Sequence, residues 1–121
     1  MFKETKNIDD LISIIAGSSI FISNDSGPLQ IAALLGKPTF TIYGPTNPEY
    51  HLPFGNHHRF IQKIIECSPP KGEKFCFTNA GRDGCPSFEC MNLLSVEEVL
   101  PQVMDFISSH NIEPKIKLVS N

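Results

Sequence analysis

The chain of 121 residues lacks several features that would assign it to whole classes of protein. No stretch approaches the roughly 20 apolar residues that a membrane-crossing helix needs. The opening, Met-Phe-Lys-Glu-Thr-Lys, has none of the apolar core of a secretory signal, so a cytoplasmic location is expected. The 10 lysines and arginines are scattered, without a run or a stripe, and the net charge is −3. Nucleic acid is therefore not an expected partner, because neutralising phosphates takes clustered cations. Internal repeats and low-complexity tracts are absent, and no two cysteines stand at the close spacing of a zinc finger. What remains is ordinary: 40% hydrophobic and 19% charged residues, the composition of one globular domain. A chain of this size buries roughly 65% of its unfolded surface, enough for a single core.

Within that plain composition, residues 24–36 stand out: Asn-Asp-Ser-Gly-Pro-Leu-Gln-Ile-Ala-Ala-Leu-Leu-Gly. Ile20-Phe21-Ile22 leads in as a strand spanning 18–24. Pro28 suits the first turn of a helix over 28–35, and Gly36 suits its end. That helix is apolar nearly all round, which predicts burial. A second strand, Thr39–Tyr43, runs into another turn at Gly44-Pro45-Thr46. Strand, loop, helix, strand, loop predicts an α/β fold with a parallel sheet and flanking helices. Both loops then fall on the carboxyl edge of the sheet, where open α/β folds bind ligands.

Further elements frame this unit. Asn7 or Asp9 caps a first helix through Ala16, with Ile8, Leu11, Ile12, Ile14 and Ile15 as its apolar face and Gly17 as its stop. Residues 44–57 read as a loop, 59–65 as a third strand, and 66–94 as an irregular Cys-rich segment. Ser95 and Glu98 form a capping-box pattern for a last helix over 95–109, with Val99, Leu100, Val103, Phe106 and Ile107 as its apolar stripe. Pro101, in its second turn, is a place for a kink. Residues 1–110 form one domain, and 111–121 a polar tail.

The loop chemistry suggests an anion site. The first turn of a helix exposes unpaired N–H groups and carries about half a positive charge, which attracts phosphate without lysine. Gly27 lets a ligand approach the backbone, and Ser26 offers a hydroxyl. Asp25 repels a bare phosphate, so it suits a sugar hydroxyl or a brace within the loop. Gln30, one turn into the helix, lies near the same mouth. Asn-Asp-Ser-Gly is also common turn chemistry, and Ser or Asp caps many helices with no ligand present. Two such loops on one edge are more specific than either alone.

Cys67, Cys76, Cys85 and Cys90 leave three readings open: a structural metal such as zinc, two disulfides, or free thiols. A staple of some kind is expected, since an irregular stretch this long needs an anchor. His57 and His58 suggest a metal pair, but neighbours on a strand point to opposite faces and rarely share one ion, so an exposed loop pair is the expectation. His51 and His110 read as solvated surface residues.

From Ile8 to Thr46 the chain resembles the C-terminal domain of the heptosyltransferase family, glycosyltransferase family nine. The matching residues are Asp10-Leu11, Ile20–Pro28 with Ala32-Ala33 behind, Gly36-Lys37-Pro38, and Tyr43–Pro48. A looser likeness runs on through Pro53, His58 and Ile61, and Val96 and Val99 match the last helix. The resemblance implies half of a GT-B enzyme: a partial Rossmann-like domain that binds a nucleotide-sugar donor such as ADP-heptose. The activity implied is inverting transfer onto a growing lipopolysaccharide core, with no catalytic cofactor. Ser26, Gly27, Pro28 and Leu29 are then expected to cradle the diphosphate through backbone N–H groups. Asp25 organises the loop or touches the sugar, and Gly44, Pro45 and Thr46 line the same cleft with Gln30. The family usually has His at the place of Gln30. Its members are about three times this length. The acceptor-binding half, the general base and any peripheral membrane contact are expected elsewhere, no catalytic residue is assigned here, and the chain alone is expected to be inactive. Alternatives are a GT-B-like nucleotide-sugar epimerase domain, which often has Gln at this place, and a non-catalytic Cys-stapled binding module.

Overall fold

A computed structural model describes residues 6–74, 76 and 89–110. The elements in chain order are α1 (Ile8–Ala16), β1 (Phe21–Asn24), α2 (Gly27–Leu34), β2 (Thr39–Tyr43), α3 (Pro48–His51), β3 (His58–Gln62), α4 (Glu89–Asn92) and α5 (Val96–Ser109). The three strands form one parallel sheet in the order β1-β2-β3. Phe21 stands opposite Thr39, and Thr39 opposite His58. The α/β expectation therefore holds for these residues.

Side-chain alternation divides the sheet into two faces. Phe21, Thr39, Thr41, Tyr43, His58, Phe60 and Gln62 share one. There α1 and α2 close a small core of Ile15, Phe21, Leu29 and Ala32. Phe40 and Arg59 belong to the other face, which α5 covers. Phe40 meets Phe106 at 5.7 Å between ring centroids, and Arg59 pairs with Asp105 at 3.0 Å. Helices thus flank both faces of the sheet.

Local signals explain the element ends. Asn7 caps α1 by accepting from the Asp10 amide, and Gly17 ends it. Gly36, at φ 76°, turns the chain out of α2. The capping box forms as the pattern predicts: Ser95 Oγ accepts from the Glu98 amide at 3.2 Å, and a Glu98 carboxylate oxygen accepts from the Ser95 amide at 3.1 Å. α5 continues through Pro101 to Ser109.

Several expectations are corrected. α2 is not buried all round: Leu29 and Ala32 are inside, whereas Leu34 is 88% exposed. The helix lies along one side of the sheet, so only the stripe facing β1 and β2 loses its water. α1 likewise buries only Ile15, with Ile8 64% exposed. Leu100 of the α5 stripe is half exposed. The loop over 44–57 contains the one-turn helix α3, which Asn47 caps through the Glu49 amide. β3 begins at His58 and stops at Gln62, because Ser68 folds back onto Ile65 in a two-bond turn. His58 is a buried strand residue rather than an exposed loop residue, sharing a 2.7 Å hydrogen bond with Thr39. His110 packs edge-on against Phe106 at 4.9 Å.

The Cys-rich segment is partly outside the described residues. Cys85 and the tail over 111–121 fall there, so the four-cysteine set has no structural reading. Cys67 and Cys76 are partly exposed and Cys90 is buried. Among the described residues no group of three or more His, Cys, Asp or Glu is arranged to hold a metal ion.

Candidate functional site

The Asp25-Ser26-Gly27 loop follows β1, and Gly44-Pro45-Thr46 follows β2. Parallel pairing carries both to the same sheet edge, and a hydrogen bond joins them. Thr46 Oγ1 donates to Asp25 Oδ2 at 3.0 Å. Asp25 is thus a brace between the two loops.

Ser26 is the N-cap of α2, with extended backbone, yet its side chain makes no capping bond. Its Oγ is buried and finds no hydrogen-bond partner among the described residues. A lone buried hydroxyl is costly, by about 1–3 kcal/mol, and a ligand or water at the helix mouth would satisfy it. A Cβ built on Gly27 meets nothing within 4 Å, so the backbone here is approachable. Pro28 has no N–H, which corrects its assignment as a donor. The donors that the first turn offers are the amides of Ser26, Gly27 and Leu29. The Leu29 side chain itself is locked in the core.

The second loop is built differently. A Cβ on Gly44 would fall 2.8 Å from Met91 Sδ and 3.3 Å from Cys90 Sγ, so a side chain here would have to displace the Met91 thioether of α4. Gln62, from the neighbouring strand, donates through Nε2 to the carbonyls of Gly44 at 2.8 Å and Thr46 at 2.9 Å. The segment after β3 straps the loop from outside. The Cys76 amide donates to the Pro45 carbonyl, and the Asn47 amide to the Lys74 carbonyl. The Asn47 side-chain amide reaches the Glu73 carbonyl, and the Tyr50 hydroxyl the Gly72 carbonyl. Ordinary hydrogen bonds thus anchor part of the stretch that seemed to need a staple.

Besides Gln62, two further residues join the site that sequence reasoning left out, His51 and Tyr43. His51, expected in solvent, is two-thirds buried with Nδ1 3.7 Å from Asp25 Oδ2. Gln30 donates through Nε2 to the His51 carbonyl at 3.1 Å, tying α3 to the opening of α2. Tyr43 is fully buried, and its hydroxyl has no hydrogen-bond partner among the described residues. Burial, and then the nearby Asp25 carboxylate, push the phenol pKa upward, so it stays neutral. Tyr43 had a signal, since the last residue of a parallel strand sits at the ligand edge. His51 had none: its contact depends on how α3 folds back. Beside this edge, a cavity of about 490 Å³ opens between α3 and β3, lined by Pro48, Leu52, Phe60 and Ile64 with Glu49 and Lys71.

Chemically, the edge offers backbone amides at a helix N-terminus, an unsatisfied hydroxyl, and one carboxylate fixed between two loops. That set suits an anion attached to a hydroxyl-bearing group. No helix among the described residues is long and apolar enough to cross a membrane.

Comparisons with known proteins agree with this setting. A lipooligosaccharide heptosyltransferase 2 of Haemophilus influenzae is 34% identical over 58 residues, covering 48% of this chain and 17% of that protein. A lipopolysaccharide heptosyltransferase 2 of Escherichia coli is 33% identical over 57 residues, covering 47% of this chain and 16% of that protein. A lipooligosaccharide heptosyltransferase 2 of Campylobacter jejuni is 28% identical over 108 residues, covering 87% of this chain and 31% of that protein. The chain therefore spans less than a third of the length of these relatives. No solved structure matches it. The family model for glycosyltransferase family 9 (heptosyltransferase) matches residues 5–80, both loops included, and the chain belongs to that family.

Proposed function

We propose that this chain is the donor-binding part of an inverting glycosyltransferase, holding the diphosphate of an ADP-heptose-like nucleotide sugar at the Asp25-Ser26-Gly27 loop. The observation that carries the reading is the buried, partnerless Ser26 Oγ at the opening of α2, beside a glycine with open space above it. Diphosphate oxygens accept from the Ser26 hydroxyl and from the amides of Gly27 and Leu29. Asp25, already accepting from Thr46 through one oxygen, keeps lone pairs for a sugar hydroxyl. The acceptor, a saccharide of the lipopolysaccharide core, and the general base that activates its hydroxyl are assigned to none of the residues described here. The isolated chain accordingly binds donor and does not transfer it. ADP is expected over UDP because ADP-heptose is the donor that the resemblance to the heptosyltransferase family implies.

Calorimetric titration of the chain with ADP, UDP and their sugars tests this. ADP compounds should bind, and Ser26→Ala should weaken them about tenfold to a hundredfold, the worth of one hydrogen bond to a charged group. UDP preference would favour the epimerase reading, and absence of binding the scaffold reading.

A further inference from the structure

We propose that His51 is the charge-compensating residue of this site: its imidazolium cancels the Asp25 carboxylate so that a nucleotide diphosphate can occupy the opening of α2. The inference rests on the function proposed above. Asp25 poses the difficulty, since a fixed carboxylate beside a doubly negative diphosphate repels it. Asp25 is not free to swing away, because Thr46 holds Oδ2 at 3.0 Å. The N-terminus of α2 supplies about half a positive charge, less than the carboxylate takes back. Lys37, Arg59 and Lys63 are engaged away from the loop, with the Ala16 carbonyl, Asp105 and Glu98.

His51 addresses the same oxygen that Thr46 holds, with Nδ1 3.7 Å from Asp25 Oδ2. That distance is too long for a good hydrogen bond and within reach of an ion pair. Its placement is built twice over. Asn47 caps the short helix that ends in His51, and Gln30 donates to the His51 carbonyl from the first turn of α2. One loop therefore brings Thr46 and His51 onto Asp25 together, and α2 fixes the second of them.

The other titratable groups nearby do not share this duty. The Tyr43 phenol beside Asp25 is neutral, and Glu49, on the same short helix, lines the cavity next to β3. Imidazole is the side chain whose charge changes between about pH 5 and 8.

The test uses ADP-glucose, a diphosphate diester that keeps its two negative charges throughout this range. Calorimetry on the whole chain should show about twofold to fivefold tighter binding near pH 6 than near pH 8, the scale of one partly exposed charge pair. His51→Gln should flatten that profile at the weaker, high-pH affinity. Equal pH slopes in the wild type and His51→Gln, or no slope in either, overturn the inference and leave the proposed function standing. No binding at any pH overturns both.

Discussion

A methyl group placed on Gly44 runs into Met91, whereas on Gly27 it meets open space. The two glycines therefore answer substitution oppositely. Gly44→Ala should destabilise the chain by about 1–3 kcal/mol through overpacking, and Met91→Ala should recover part of that loss. Gly27→Ala should leave the denaturation midpoint nearly unchanged and weaken diphosphate binding, because the added methyl stands where ligand oxygens approach. Chemical denaturation and calorimetry on the same variants separate the two effects. Thr46→Val removes the bond to Asp25 and should cost about 1 kcal/mol in stability. His58 carries a pH dependence with a definite sign. Burial, then the neighbouring His57, lower its pKa, against a backbone hydrogen bond to Phe54 that raises it. The unfolded chain thus takes up the proton first as pH falls. The stability that neutral His58 contributes is complete above the ordinary histidine value of about 6.5 and is lost as pH drops through the lower, folded value. Urea midpoints should fall between about pH 7 and 5, and less steeply in His58→Gln.

Among the elements, α2 shows which part of the molecule could be read in advance. Its ends were legible because Pro28 and Gly36 are local signals, obeyed by the backbone whatever surrounds them. Its burial was not, because Leu34 and Leu29 look alike in one dimension and only the position of the sheet distinguishes them. Leu29→Ala should cost about 2–5 kcal/mol, and Leu34→Lys should stay within about 0.5 kcal/mol, by thermal or urea unfolding. The same division holds at the site. The places of Asp25, Ser26, Gly27 and Thr46 on one sheet edge were legible from their spacing at strand ends. His51 and Gln62 reach the loops through chain folding that no short pattern encodes, and His58 enters the interior because β3 begins one residue earlier than its alternation suggests. Pro28 fell out as a donor on chemistry alone. α5 is the most local element of all, and Ser95→Ala should cost about 1 kcal/mol by removing the side-chain half of the capping box, the bond that Ser95 Oγ accepts from the Glu98 amide.

For the molecule as a whole, three parallel strands aim both loops at one edge, and helices on each face hold that edge in place. The sheet explains why residues 21 positions apart, Asp25 and Thr46, share a hydrogen bond. Membership of glycosyltransferase family 9 supplies the chemistry that this edge would serve. The central claim is that the helix opening at Ser26 and Gly27 receives a nucleotide-sugar diphosphate. Its most direct test is amide NMR of the labelled chain titrated with ADP-glucose. The account predicts saturable shifts centred on Ser26, Gly27, Leu29 and Gln30, with weaker ones at Thr46 and His51. Saturable shifts that leave the amides of Ser26, Gly27 and Leu29 unmoved, or no shifts at all, would contradict it.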